Sequence, residues 1–292
     1  MKIHITGGHG FLARWIVPLL RETHEVEVSD RESMDVTNFE RVCATMAASR
    51  PDVVVHLAAL CGAKPSREQP PEFFAVNALG VVNVLEACRR AGVPRFLLAS
   101  SLTVHGCGDE ARQENSPFAP RHPYAVSKVA AEFAALNYSQ NFGLSVTVVR
   151  PTLVVGENYK EPHAVGDFVA TVLRGDNIVL FGDGHHRRDF VHPFDVANAV
   201  QLAVEHLACA KPGTHEVFNI SSGESFRMVD LADLVIGVTG RGRRVHGPAS
   251  EQSFSLYTGI ERARKVLGYQ PSVRTEDIIH RLIHSSNLNG AA

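Results

Sequence analysis

Short β-branched runs alternate along the first half of the chain with longer stretches whose apolar residues recur at helical spacing. "KIHIT", "EVEVS", "DVVVHLAA", "RFLLAS" and "LSVTVV" predict strands. Between them, "FLARWIVPLLRE", "NFERVCATMAAS", "FAVNALGVVNVLEACRRAG" and "PYAVSKVAAEFAALNYSQNFG" predict helices. Repeated strand–helix order predicts an α/β fold in which a doubly wound parallel sheet is covered on both faces. Pro18 removes a backbone donor inside the first helix and predicts a bend there.

After Pro151 the pattern loosens, and "GDGHHRRDF", "NISSGESF" and "TGRGRRVHGPAS" supply turns between shorter elements. The expected organisation is a dinucleotide-binding domain over residues 1–150, to which segments near 190–220 return. A smaller C-terminal α/β substrate-binding lobe occupies most of 151–292. No internal repeat or long linker separates the two.

Composition narrows the classes. The 292 residues are 45% hydrophobic and 21% charged with formal charge -2, which argues against disorder and against a broadly basic nucleic-acid surface. Five cysteines, widely spaced and odd in number, suit a reducing compartment. No membrane span or signal peptide is read from the sequence, so a cytoplasmic protein is expected. His185, His186 and His192 come without a compact set of further ligands, so no metal site is expected.

The first chemical signal is "ITGGHGFLARW". Gly7 and Gly10 fall between the first strand and first helix, where small residues permit a tight turn and close approach of a pyrophosphate to helix amides. Asp30 ends the second strand about twenty residues on, where a carboxylate can accept hydrogen bonds from an adenosine ribose. NAD is therefore expected as cofactor. Arg31 follows at once and offers a site for the 2′-phosphate of NADP, or is surface charge. Asp35 is a contact to adenine or a cap for the following helix.

These residues resemble the extended short-chain dehydrogenase/reductase family, in its sugar-nucleotide epimerase, dehydratase and reductase branch. "TGGHGFLA" is similar to the family's T-G-G-x-G-F-[IL]-G loop, with Ala13 in the last glycine position, where a small residue packs helix against strand. The resemblance continues in order through "HLAA", "VNALGVVNVLEACRRAGVPRFLLASS", "YAVSK", "RPTLVVG", "GDGHHRRDFVHPFDVA" and "FNISSGE". It implies a Rossmann-type sheet whose cofactor site is formed by Gly7, Gly8, Gly10, Phe11 and Leu12 and by Leu57, Ala58 and Ala59. Asn77 supports that site from the helix after the third strand. It also implies a homodimer built through long apolar helices.

Tyr124 and Lys128, four apart, share one helix face. By the resemblance, Ser101, Tyr124 and Lys128 are the catalytic set, and Tyr124 and Lys128 also touch the cofactor. An alcohol carbon that loses hydride must also lose its hydroxyl proton. Tyr124 would accept that proton as a phenolate favoured by the nearby ammonium and a positive nicotinamide ring, with Ser101 bonding the same oxygen.

The resemblance places a dehydratase's T-D-E sequence at Ser101, Leu102 and Thr103, where both carboxylates are missing. Thr103 is a sugar contact or a structural hydroxyl. Arg188 is expected on the diphosphate of a sugar nucleotide, Phe181 on a nucleobase or in the core, and His192 on the substrate side or packed near Arg188. Leu153 replaces the family's Asn, and His105 replaces a tyrosine, either keeping its hydrogen bond or packing beside Cys107. The expected function is an NAD-dependent nucleotide-sugar epimerase that transiently oxidises a sugar carbon, C4. The alternatives are an NAD(P)-dependent ketoreductase or dehydrogenase, and a dinucleotide-sensing protein without chemistry.

Overall fold

Strands appear where the alternation demanded them: β1 (Lys2–Thr6), β2 (Glu25–Ser29), β3 (Val53–His56), β4 (Arg95–Ala99) and β5 (Ser145–Pro151). The structure is a computed structural model that describes residues 1–157, 159, 163–248 and 253–289, with side chains through residue 285. The last two residues of the "TGRGRRVHGPAS" segment lie outside the described residues.

The first five strands and β9 (His215–Ile220) form one parallel sheet in the order β2-β1-β3-β4-β5-β9. Side chains alternate between its faces. Val53, Val55 and Leu97 enter one core with Ile3, Ile5, Ile16 and Val200, whereas Val54, Phe96 and Leu98 enter the opposite core with Val42, Leu85 and Ala131. Both faces are dry, which is why these strands read as nearly continuous apolar runs.

One face is covered by α1 (Ala13–Arg21) and α8 (Pro193–Ala208), the other by α2 (Phe39–Ser49), α5 (Gly80–Ala91) and α6 (Pro123–Phe142). Helix α1 continues through Pro18 to Arg21. Pro18 is exposed, so the carbonyl deprived of its donor can turn to water. Helix α5 continues α4 (Pro70–Phe74) through a π-turn at Ala75–Leu79, giving a 22-residue helix long and apolar enough to cross a membrane, yet half buried inside the fold.

Beyond β5, the chain builds a third core from α7 (Ala164–Leu173), β7 (Ile178–Phe181), β8 (Arg187–Val191), α9 (Met228–Thr239) and α11 (Thr275–Asn289). Between β8 and α9 it returns through α8 and β9, which close the first core and the edge of the main sheet. The small sheet β10 (Ser225–Arg227)–β8–β6 (Leu153–Val154) and the pair β7–β11 (Arg244–Gly247) complete this part.

Beneath the carboxyl ends of β4 and β5 lies a buried ion pair. Arg150, on β5, meets Glu132, on α6, with Nη2–Oε2 2.6 Å and side chains 3% and 5% exposed. Arg150 Nε donates to Glu132 Oε1 at 2.9 Å, and Nη1 donates at 2.9 Å to both His105 Nε2 and the Glu114 carbonyl. Ser100 Oγ also donates to Glu132. Because Arg150 can only donate, His105 must carry its proton on Nδ1, which faces the Pro117 carbonyl at 3.2 Å. His105 therefore keeps a hydrogen-bonding role, and burial with the Arg150 charge lowers its pKa.

Removing one partner of a fully bonded buried pair leaves the other charge stranded and costs about 3–5 kcal/mol. Glu132→Ala should lose that much in urea unfolding, seen as a lower midpoint. A loss below about 1 kcal/mol would show that Arg150 finds water or another partner without strain.

Candidate active site

The sheet order reverses between β1 and β3, and the loops after these two strands meet there. Thr6 Oγ1 lies 2.9 Å from His56 Nδ1 and accepts from Ala58 N at 3.3 Å. Gly7 has φ +72, and a Cβ on it would lie 2.7 Å from Ala58 N, so only glycine fits. At Gly8 an added Cβ would strike Val28 Cβ at 2.7 Å. The loop turns on Gly10 N→Gly7 O at 2.9 Å and opens directly into α1, leaving amides at a helix N-terminus beside a side-chain-free ledge. That cradle fits a dinucleotide pyrophosphate. Phe11, Leu12, Leu57, Ala58 and Ala59 are all partly exposed around it, while Ala13 is 1% exposed and packs in the core.

At the outer end, Asp30 lies beside the glycine loop, with Oδ2 2.5 Å from His9 Nδ1. Hydrogen bonds from Ser33 hold its pKa below the ordinary carboxylate value. Asp35 accepts from Thr37 N at 2.8 Å and Thr37 Oγ1 at 2.7 Å, while the cap of α2 is Asn38. Of its two expected roles, the helix cap thus falls to the residue three places on. Arg31 is exposed.

Asn77 sits on the π-turn with no exposed surface. Its amide donates to the Leu60 carbonyl at 2.9 Å, accepts from Leu60 N at 2.8 Å and donates to Ser127 Oγ at 3.1 Å. It thereby clamps the loop after β3 to helix α6, the kind of work for which π-turns are retained at sites.

Helix α6 presents Tyr124, Lys128 and Glu132 at successive four-residue steps on one side. Lys128 is 3% exposed and its Nζ donates to the Ala99 carbonyl at 2.8 Å; burial lowers its pKa. Ser101 begins the short 3-10 turn Leu102–His105 and accepts from Thr103 Oγ1 at 3.0 Å and Thr103 N at 3.3 Å. With its acceptor positions engaged, Ser101 directs its proton to Tyr124, whose hydroxyl it bonds. Thr103 is therefore a structural hydroxyl that aims Ser101.

The expected phenolate needs more than the neighbouring ammonium. Burial raises the Tyr124 pKa well above its ordinary value, and this outweighs the Ser101 hydrogen bond. The buried ammonium alone does not make a phenolate, so a further positive charge must arrive for Tyr124 to act as a base.

Among the substrate candidates, Phe181 is 43% exposed and is no core aromatic. Arg188 lies with its guanidinium carbon 3.7 Å from the Phe254 ring centroid, and burial lowers its pKa to about 10. Arg121 approaches the same ring at 5.8 Å, so two guanidinium groups converge on Phe254. His192 is corrected outright: it is fully buried, caps α8 by accepting from Phe194 N at 3.2 Å, pairs with Glu157 at 3.1 Å and packs edge-on to Trp15. It has no surface to offer a substrate.

Sequence reasoning missed His9, Phe254 and His122. His122 caps α6 through Nδ1, accepting from Ala125 N at 3.2 Å, and its ring lies parallel to Tyr124, 7° apart at 5.9 Å. Histidine is outside the usual set of capping residues, so position alone before "PY" would have been the signal. Phe254 is remote in sequence from both arginines that face it, and no local pattern marks it.

Residues 3–221 match the model of the NAD dependent epimerase/dehydratase family. The chain is 29% identical over 95% of its length to a dTDP-glucose 4,6-dehydratase of Streptomyces niveus, spanning 90% of that protein. It superposes on a UDP-glucose 4-epimerase of Thermotoga maritima solved with UDP-glucose, with TM-score 0.86, 26% identity and 99% of each chain covered. A UDP-glucose 4-epimerase of Thermus thermophilus solved with NAD gives TM-score 0.82 and 29% identity over 100% of both chains. The chain therefore belongs to the NAD-dependent epimerase/dehydratase family, within the extended short-chain dehydrogenases/reductases.

Proposed function

We propose that this NAD-dependent enzyme is a nucleotide-sugar 4-epimerase, acting on a sugar nucleotide of the UDP-sugar type. The observation that carries the reading is the hydrogen-bonded set Thr103–Ser101–Tyr124 above buried Lys128, with Leu102 and Thr103 where a dehydratase needs acid and base. Leu102 is 1% exposed and cannot move a proton. The solved relatives that hold UDP-glucose or NAD support the substrate class and the cofactor.

NAD, when bound, supplies the hydride acceptor and a positive ring charge. Gly7, Gly8 and Gly10 would take the pyrophosphate, Asp30 the adenosine ribose and Lys128 the nicotinamide ribose. Tyr124 would remove the sugar hydroxyl proton on oxidation of the carbon and give it back on reduction. Ser101 holds the same oxygen throughout. Arg188, with Arg121 across Phe254, supplies planar donors for a diphosphate.

The second reading, a ketoreductase that exchanges its cofactor each turnover, is favoured by Leu153, which is 37% exposed where an amide would bind substrate. The exposed apolar residues Phe74, Leu79, Val126 and Phe133 lie on α6 and the adjoining long helix, and we read them as the contact of a homodimer.

Tyr124→Phe should fold and bind NAD as the parent does, while kcat for interconversion of UDP-glucose and UDP-galactose falls at least about 100-fold. Undiminished turnover would remove Tyr124 from the chemistry. Phe133→Asp should shift sedimentation from a dimer to a monomer; an unshifted dimer would place the interface elsewhere.

A further inference from the structure

We infer that His9, in the glycine loop, sets how strongly the site discriminates between NAD and NADP and makes that discrimination depend on pH. The inference rests on the reading that Asp30 holds the adenosine ribose.

The two oxygens of Asp30 have different tasks. Oδ1 is consumed within its own turn, accepting from Glu32 N at 3.0 Å, Ser33 N at 2.8 Å and Ser33 Oγ at 2.8 Å. Oδ2 meets His9 Nδ1 at 2.5 Å. The carboxylate is thus anchored by the chain behind it and covered in front by an imidazole. The backbone, not the side chain, puts His9 there: Gly8 N donates to Ser29 O at 2.8 Å and pins the glycine loop to the end of β2. His9 is 78% exposed, so replacing it disturbs no core.

The other charged groups around this end are Arg31, exposed and next in sequence, Glu32, also exposed, and Asp35, which the Arg31 charge reaches. With a neutral imidazole, the Asp30 charge faces an incoming 2′-phosphate and repels it. With a protonated imidazole, His9 offsets Asp30 and leaves Arg31 free to favour the phosphate. NAD carries a hydroxyl at that position and feels the change far less. Imidazole is the side chain that ordinarily changes charge between pH 5 and 8, so the preference for NAD should be greatest in alkali and shrink as the pH falls.

The 2′-phosphate also gains a proton near pH 6, so the parent protein alone does not isolate His9. His9→Ser removes the imidazole, and His9→Lys keeps a positive charge at both pH values. The dissociation constants of NAD and NADP are measured by calorimetry on the full chain at about pH 6 and about pH 8.5, and the NADP/NAD ratio is compared. Between the two pH values the parent ratio should change roughly three- to tenfold more than that of His9→Ser. His9→Lys should hold the low ratio at both.

Parallel ratios in the parent and His9→Ser would overturn the inference, as would a His9→Lys ratio equal to that of His9→Ser at about pH 8.5. Asp30→Ser separates the underlying reading: it should weaken NAD at both pH values. Unchanged NAD affinity in Asp30→Ser would mean that Asp30 does not hold the ribose, whatever His9 does.

Discussion

The candidate active site depends on a charge pair withdrawn from its surface. Arg150 and Glu132 are both withdrawn from water, a state that is favourable only when every donor and acceptor is met. Here β5 contributes the guanidinium, α6 the carboxylate, the end of β4 contributes Ser100, and the 3-10 turn contributes His105. Each of these segments also carries or adjoins a reacting group: Ser101 follows Ser100, and Lys128 and Tyr124 precede Glu132 by one and two helical turns. Fixing the pair fixes the relative placement of the hydroxyl, the phenol and the ammonium.

The same low dielectric shapes the chemistry. Burial raises the Tyr124 pKa and lowers that of Lys128, so both groups lean toward their neutral forms in the protein alone. His56, packed against Phe96 behind the switch point, is pushed down to about 3 for the same reason. Under the proposed function, the positive ring of NAD would supply the charge that favours loss of the Tyr124 proton. An enzyme that must hold a ketone intermediate without losing it gains from that coupling.

Much of the fold was legible because it is local. Val53, Val54 and Val55 announce a strand buried on both faces, and Gly7 announces a turn that no side chain allows. The spacing of Tyr124 and Lys128 places them on one face of any helix. What escaped the reading depends on segments far apart in the chain. The partner of Arg150 lies eighteen residues back on another element, His9 acquires meaning only when the loop after β1 touches the end of β2, and Phe254 reaches Arg188 across the second lobe. His192 was misplaced because a histidine beside "RRDF" has the composition of a site. Its position before "PF" at the start of α8 gives it a capping role instead. Spacing reports the charge beside Tyr124 and not the burial that opposes it.

If, as proposed, hydride is taken and returned within one turnover, the cofactor need not leave. The most direct measurement is to denature the freshly purified protein and identify and quantify the released nucleotide by mass spectrometry. NAD or NADH at close to one per chain is the result expected of an epimerase. A protein that releases none, and that binds added NADPH more tightly than NADH, would contradict it and make the chain a reductase that exchanges its cofactor with solution.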